Sequence, residues 1–526
     1  MIVESKPIKK VFGILKDRKG IALGISLIFL TILSLIGAAG IITSTIDTRI
    51  ASNNLSKKKA LYIAEAGLTR TEAELINDLN SDQNMANSSF VTLSGVLGIT
   101  PGSTAFYTVF NNTPFARGSY TVKFKNYGTP PNYDPKTVLV RSTGTGPNSS
   151  AVILEKYLSA ENISPWNNAI FVDGGGNIPI TGNVIIAGSI HLLGVGLAST
   201  DTVFDNQTGD CRNSNAGMDG SLSSAINGGV TSNLKSKFRV KNGRVDMTLG
   251  SATIGSSANS FKGIYITGGK DANSNGVNDD ILGGDNTGAG RNIFAEKGAC
   301  SAEAYDLGNV YAAMPSINTT YMDNNSIDLT GITENEGLIG GALILNGNIL
   351  VPPPGHIYDI NQSGISPSGK SCSIVFNGAT NVLTISGIVK VTSLTINDDI
   401  KYLTPSGGGT IYVTGTTLID GNALPAAPAS YPTTNVLGVV SAGDITLGSS
   451  ASVFLLTGAY YSAGAISSSK KMELAGTIVC RNFNITGQIP RIWQVPSLAG
   501  NLPPGMPAST PIWAFTDKTW REITRK

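Results

Sequence analysis

Residues 20–46 read GIALGISLIFLTILSLIGAAGIITSTI and contain no charged side chain. A helix rises 1.5 Å per residue, so about 20 apolar residues cross the hydrocarbon of a bilayer. The run therefore predicts a membrane-spanning helix. Six basic residues (Lys6, Lys9, Lys10, Lys16, Arg18, Lys19) precede it against two acidic ones, Glu4 and Asp17, a net charge of +4. Basic flanks stay on the cytoplasmic side, which places everything after about residue 47 outside the cytoplasm. A cleaved secretory signal has a core of 7–15 residues and a small-residue cleavage site. This run is longer, and its small cluster Gly37-Ala38-Ala39-Gly40 suits close helix packing in lipid instead.

The helix is expected to continue beyond the membrane. Leu61, Ala64, Leu68, Thr71, Leu75 and Leu79 recur at helical spacing among polar residues, and no Pro occurs from Gly20 to Thr100. The reading is one long helix over 21–87, with a membrane half at 21–46 and an amphipathic half at 47–82. The Ser/Asn-rich stretch 81–89 ends it.

Composition describes the rest. The chain has 526 residues, 62 Gly, 41% hydrophobic and only 14% charged residues. Average domains carry about 25% charge. The low charge excludes a coiled coil, and the high apolar fraction with a net charge of +2 excludes general disorder. Removing the +4 of the first 19 residues leaves about −2, so no basic face remains for nucleic acid, and no nucleic-acid partner is expected.

The basic leader ending in Lys19-Gly20, the apolar run starting at Ile21, and the amphipathic helix carrying Ala64-Glu65-Ala66-Gly67 together resemble the N-terminus of a PilX-type pilus assembly protein, a branch of the type IV pilin-like superfamily. The resemblance covers about 80 residues. It implies a 1–20 leader, cleavage by a prepilin peptidase after Gly20 between Lys19-Gly20 and Ile21, and other pilins as partners through the helix. Most pilins carry a Glu at the fifth position after the junction, where it meets another subunit's N-terminal amine. Here that residue is Ile25. An unpaired charge in lipid is expensive, so a subunit lacking this Glu is suited to a filament tip or to initiation. The expected localisation is a single-pass inner-membrane protein with its bulk periplasmic or extracellular, at a pilus tip or the cell surface.

Residues 88–162 are expected to form a small antiparallel sheet, with strands at 118–125, 137–142 and 152–157, and the resemblance implies that this sheet packs on the C-terminal half of the helix. Beyond Ile163-Ser164-Pro165-Trp166, short β-like runs with Gly or Asn corners fill 163–487. The fold class is thus α+β then mainly β: a long N-terminal helix on a small sheet, followed by a large β-rich domain, either β-helix-like or an irregular sandwich. The Pro/Trp-rich stretch 488–526 is expected to cap the open end of the β core.

Within the β domain, Asp271-Ala-Asn-Ser-Asn-Gly-Val-Asn-Asp-Asp280 has the spacing of a calcium loop. Its candidate Ca²⁺ ligands are Asp271, Asn273, Asn275, the Val277 carbonyl, Asp279 and Asp280. Position 12 is Leu282, so the bidentate Glu of an EF-hand is missing. Cys211, Cys300, Cys372 and Cys480 all lie on the expected oxidising side, and two disulfides are expected in one of three connectivities, of which neighbour pairing, Cys211–Cys300 and Cys372–Cys480, is one. Of two histidines, His191 and His356, neither lies in a catalytic motif. Gly364–Ser371 (GISPSGKS) fits P-loop spacing, but strand-like sequence follows where a helix is needed. Ser467–Lys470 has S-x-x-K spacing within a Ser-rich turn. Asp398-Asp399, like Asp279-Asp280, would point to opposite faces of a strand. No enzyme is expected. The competing function is a membrane-anchored surface adhesin, or a glycan-binding or glycan-cleaving β-helix, with a surface ligand as partner.

Overall fold

A computed structural model describes residues 18–81, 105–127, 134–174, 178–180, 184–248, 251–267, 281–285, 290–296, 305–307, 310–334, 336–345, 359–405, 407–448, 453–468, 471–485, 490–509 and 512–523. The chain divides into two compact units. The first comprises Met1–Asp78, Ser89–Ser159 and Asp517–Lys526; the second comprises Leu79–Ser88 and Ala160–Thr516.

The first unit is built on helix α1, Arg18–Ser81, 64 residues in one piece and so about 96 Å long. Its apolar part is long and apolar enough to cross a membrane, and none of the most apolar stretch is buried within the protein. A core helix of a soluble body would bury such a stretch. Hydroxyls in it bond back to the helix: Ser26 donates to the Leu23 carbonyl at 2.8 Å, Thr31 to Ile28 at 2.8 Å and Thr43 to Ala39 at 2.9 Å. The hydroxyls at these three positions are thus satisfied within the helix itself.

Four antiparallel strands follow: β1 (Tyr107–Phe115), β2 (Gly118–Tyr127), β3 (Asp134–Thr145) and β4 (Ala151–Asn162). A fifth comes from the far end of the chain. Trp513–Ile523 lies beside β4, giving the order β1-β2-β3-β4-(513–523). The expected three strands are present, and β1 and the C-terminal strand complete them. Period-2 burial of Tyr120, Val122 and Phe124 on β2 and of Val152 and Leu154 on β4 turns one face inward.

The second unit is a parallel β-helix, which decides between the two expected architectures. In its first ladder Ser326–Asp328 pairs with Val382–Val391, then Gly409–Val413, Leu437–Ser441, Phe454–Ser468 and Met472–Ile485. The next strand in the stack is Ile170–Gly174, the first of the unit in chain order. Ile190–Val195, Lys237–Val240, Gly263–Ile266 and Tyr305–Asp306 continue beyond it. The chain therefore enters this stack in its middle, builds one half to its end, and resumes at the opposite end to build the other half inward.

A second ladder runs through Ala342–Leu345, Ser393–Ile396, Thr417–Ile419 and Ile445–Leu447. A third runs through Ile400–Leu403 and Ala423–Pro425, and later through Met472–Ile485, Pro490–Trp493, Ile185–Ala187 and Asp210–Arg212. Inward side chains stack in columns. Val389, Ile411, Val439, Tyr460 and Ile478 are successive partners, all buried.

The C-terminal stretch does not cap the stack. Pro490–Trp493 is a rung between Met472–Ile485 and Ile185–Ala187, and Trp513–Ile523 belongs to the first sheet. Pro490 opens its strand, where a missing N–H costs least. Trp493 is fully buried, and its indole N–H donates to Glu473 at 3.2 Å. One end of the stack is instead closed by antiparallel strands Ile360–Ile365 and Ser371–Asn377, which pair onto Val382–Val391.

Candidate functional site

The residues that resemble the pilus family lie where α1 meets its sheet. Ser56, Ala60, Ile63, Ala64, Gly67, Leu68, Thr71 and Leu75 form the buried face of α1. Of the expected stripe positions whose burial is described, Ala64, Leu68, Thr71 and Leu75 are on it and Leu61 is half-buried. The contact is backbone-close. A β-carbon at Gly144 would lie 2.2 Å from the Ala60 carbonyl oxygen and 2.5 Å from the Ala64 nitrogen. One at Gly67 would lie 2.5 Å from Ser142 Oγ and 3.0 Å from Val122 Cγ2. Ala64 and Gly67 of the signature are thus small because strands β2 and β3 press against them, while Glu65 and Ala66 are only half-buried. Thr71 Oγ1 donates to the Gly67 carbonyl at 2.8 Å, so its buried hydroxyl is satisfied.

Charge contacts surround this seat. Arg70 donates to Glu74 at 2.9 Å and to the Tyr120 hydroxyl at 3.0 Å, and its guanidinium stacks 4.5 Å from the Phe110 ring centre. Lys156 of β4 pairs with Glu72 of α1 at 2.5 Å. The buried Glu155 carboxylate lies between Arg141 at 2.5 Å and Arg521 of the C-terminal strand at 2.9 Å. Burial alone would raise its pKa, but Arg521 and Arg141 outweigh that and hold it below the usual carboxylate range. Sequence reading missed Gly144, Arg141 and Arg521. The signal for the first is an isolated Gly inside a strand, which often marks close backbone approach.

Lys19, Gly20 and Ile21 fall in the first turn of α1, and Ile25 lies about one turn further on, 51% exposed on the apolar surface. Beside the seat, Tyr62, Ile63, Phe115 and Pro147, with Lys59 and Arg117 on the rim, line an open apolar groove of about 350 Å³.

The calcium loop 271–280, Cys300 and His356 lie outside the described residues. Among the described residues Cys211, Cys372 and Cys480 are free and buried, so Cys372 and Cys480 do not pair as expected, while the expected Cys211–Cys300 pairing rests on Cys300, which lies outside the described residues. Each packs in the solenoid core among aliphatic side chains and acts there as a small hydrophobe. Burial pushes the Cys211 and Cys480 thiols well above their ordinary range, with Asp210 adding to the effect at Cys211. The P-loop-like Gly364–Ser371 is the turn joining two antiparallel strands, with no helix after it. Ser467 and Ser468 end a ladder strand. Asp399 accepts the Asn422 backbone N–H at 3.0 Å. Among the described residues no group of three or more His, Cys, Asp or Glu side chains is placed to hold a metal.

Residues 19–69 match the PilX N-terminal family model, a span that begins at the Lys19-Gly20 junction and includes the signature. The fold is similar to the competence-associated pilin ComZ from Thermus thermophilus, with a TM-score of 0.53 at 18% identity over 89% of this chain and 98% of that one. No match is found among curated proteins. The chain therefore combines a PilX-type N-terminal segment with a pilin-like fold.

Proposed function

We propose that this chain is a minor pilin of a type IV pilus-like filament, anchored in the inner membrane by α1 and placed at the filament tip or at initiation. The observation that carries the tip assignment is Ile25, an apolar residue where most pilins place the Glu that receives a neighbour's amine. A subunit with no carboxylate there leaves a following subunit's amine unpaired in lipid, which is costly. The second unit supports the same reading, since a solenoid on every subunit would crowd a helical fibre. The partners are other pilins through α1, and the prepilin peptidase at Gly20. The role is assembly rather than catalysis. The loop 271–280 is proposed to bind Ca²⁺ with modest affinity, because two of its ligands are neutral Asn side chains.

Gly20→Ala tests the assignment to the pilin pathway. The expected result is a full-length precursor that accumulates in cells containing the peptidase. Unchanged processing would overturn the assignment. Deletion of the gene separates the competing adhesin: loss of filaments supports the assembly role, and normal filaments with lost adhesion contradict it.

A further inference from the structure

Two histidines in 526 residues make the response to mild acid unusually simple to assign. His191 lies in strand Ile190–Val195, fully buried, and neither ring nitrogen has a hydrogen-bond partner. It is held between neighbouring rungs. Phe171 is its register partner on one side, with ring centres 5.0 Å apart, and Arg239 is its partner on the other.

Its charged surroundings can be named strand by strand. Lys237–Val240 brings Arg239 and Lys237, both held by the Glu161 carboxylate that arrives at the end of β4. Ile170–Gly174 brings Phe171 in contact and Asp173 two residues on, and the strand of His191 itself carries no other ionisable group. Two cations thus share one carboxylate beside an imidazole that lacks any acceptor. A buried cation without an acceptor is strongly disfavoured.

We propose that His191 is an acid-sensitive latch of the solenoid, whose protonation opens the stack of strands 170–174, 190–195 and 237–240. Burial and then Arg239 hold the imidazole well below its ordinary proton affinity, and Glu161 opposes them only in part. In the closed stack His191 stays neutral, while in the opened stack it regains a pKa of about 6.5. The open form therefore binds one more proton as pH falls below about 6.5, and the closed form loses stability there. Between pH 7.5 and 5.0 one such site favours opening by up to about 30-fold. Glu161, held at about 2 by Arg239 and Lys237 against its burial, keeps its charge over that range.

The test is hydrogen exchange read by mass spectrometry on the full chain in detergent at pH 7.5 and 5.0, corrected for chemical exchange rates. Protection over 170–195 and 237–240 is expected to fall by about 30-fold on acidification, while 409–447 keeps its protection. His191→Gln, a neutral polar side chain, and His191→Phe are expected to remove the acid-dependent loss, and His356→Gln to retain it. Undiminished protection in the unmodified chain at pH 5.0, or an equal loss in His191→Gln, would overturn the proposal. Should His191→Phe fail to fold, His191→Gln alone decides.

Discussion

At Gly144 the helix and the sheet meet without room for a single carbon. The obstructing atoms are the backbone of Ala60 and Ala64, which cannot rotate away. Gly144→Val is therefore expected to destabilise the first unit by about 3 kcal/mol or more, the scale of a severe core clash. Limited proteolysis of residues 105–159 across a denaturant series reports it, and a change below about 0.5 kcal/mol would remove the steric account. The cysteines make a second residue-scale prediction. Cys211, Cys372 and Cys480 should resist a thiol reagent in the native protein and react on unfolding, because all three side chains are buried out of its reach and burial raises the thiol pKa at Cys211 and Cys480. The sequence placed these residues in an oxidising compartment but carried no sign of where their side chains point. An even cysteine count therefore suggested a Cys372–Cys480 bridge that the stacked core does not form. Ala64 and Gly67, by contrast, were visible beforehand as a signature, and the structure supplies the reason for their size.

At the scale of the element, α1 was the most legible feature, since a charge-free run and a 3–4 residue stripe each specify a helix over many residues. The C-terminal strand was the least legible. Trp513–Ile523 pairs with β4, which lies more than 350 residues earlier in sequence, and no local pattern encodes a partner so distant. The tie is tested at Glu155. Glu155→Gln removes the carboxylate shared by Arg141 and Arg521 and should cost about 1–3 kcal/mol. The lowered pKa of Glu155 fixes the sign with pH. The ion pairs stabilise fully above the unfolded value of about 4.3, and that stability is lost as pH falls through the lower folded value. The stability difference between the variant and the unmodified chain should therefore shrink as acid is added below pH 4, and a constant difference would contradict the assignment.

For the molecule as a whole, the β class and a β-helix-like option were readable from Gly-rich corners and apolar β pairs, but the order of the stack was not. Successive partners Val389, Ile411, Val439, Tyr460 and Ile478 are 22, 28, 21 and 18 residues apart, so no fixed period appears in the sequence. Entry at the middle of the stack hides the order further, because Ile478 neighbours Ile170. Truncation after Ser509 separates this topology from the expected cap. It should remove one strand of the first sheet and expose residues 105–159 to protease while leaving 409–447 protected; the opposite pattern would restore a capping role.

The central claim is that one copy of this chain sits at the end of a filament, its helix among other pilin helices and no subunit beyond it. Immunogold labelling of sheared filaments with antibody against the second unit measures this most directly. The account predicts gold at one end of each filament, and gold distributed along the shaft would contradict it.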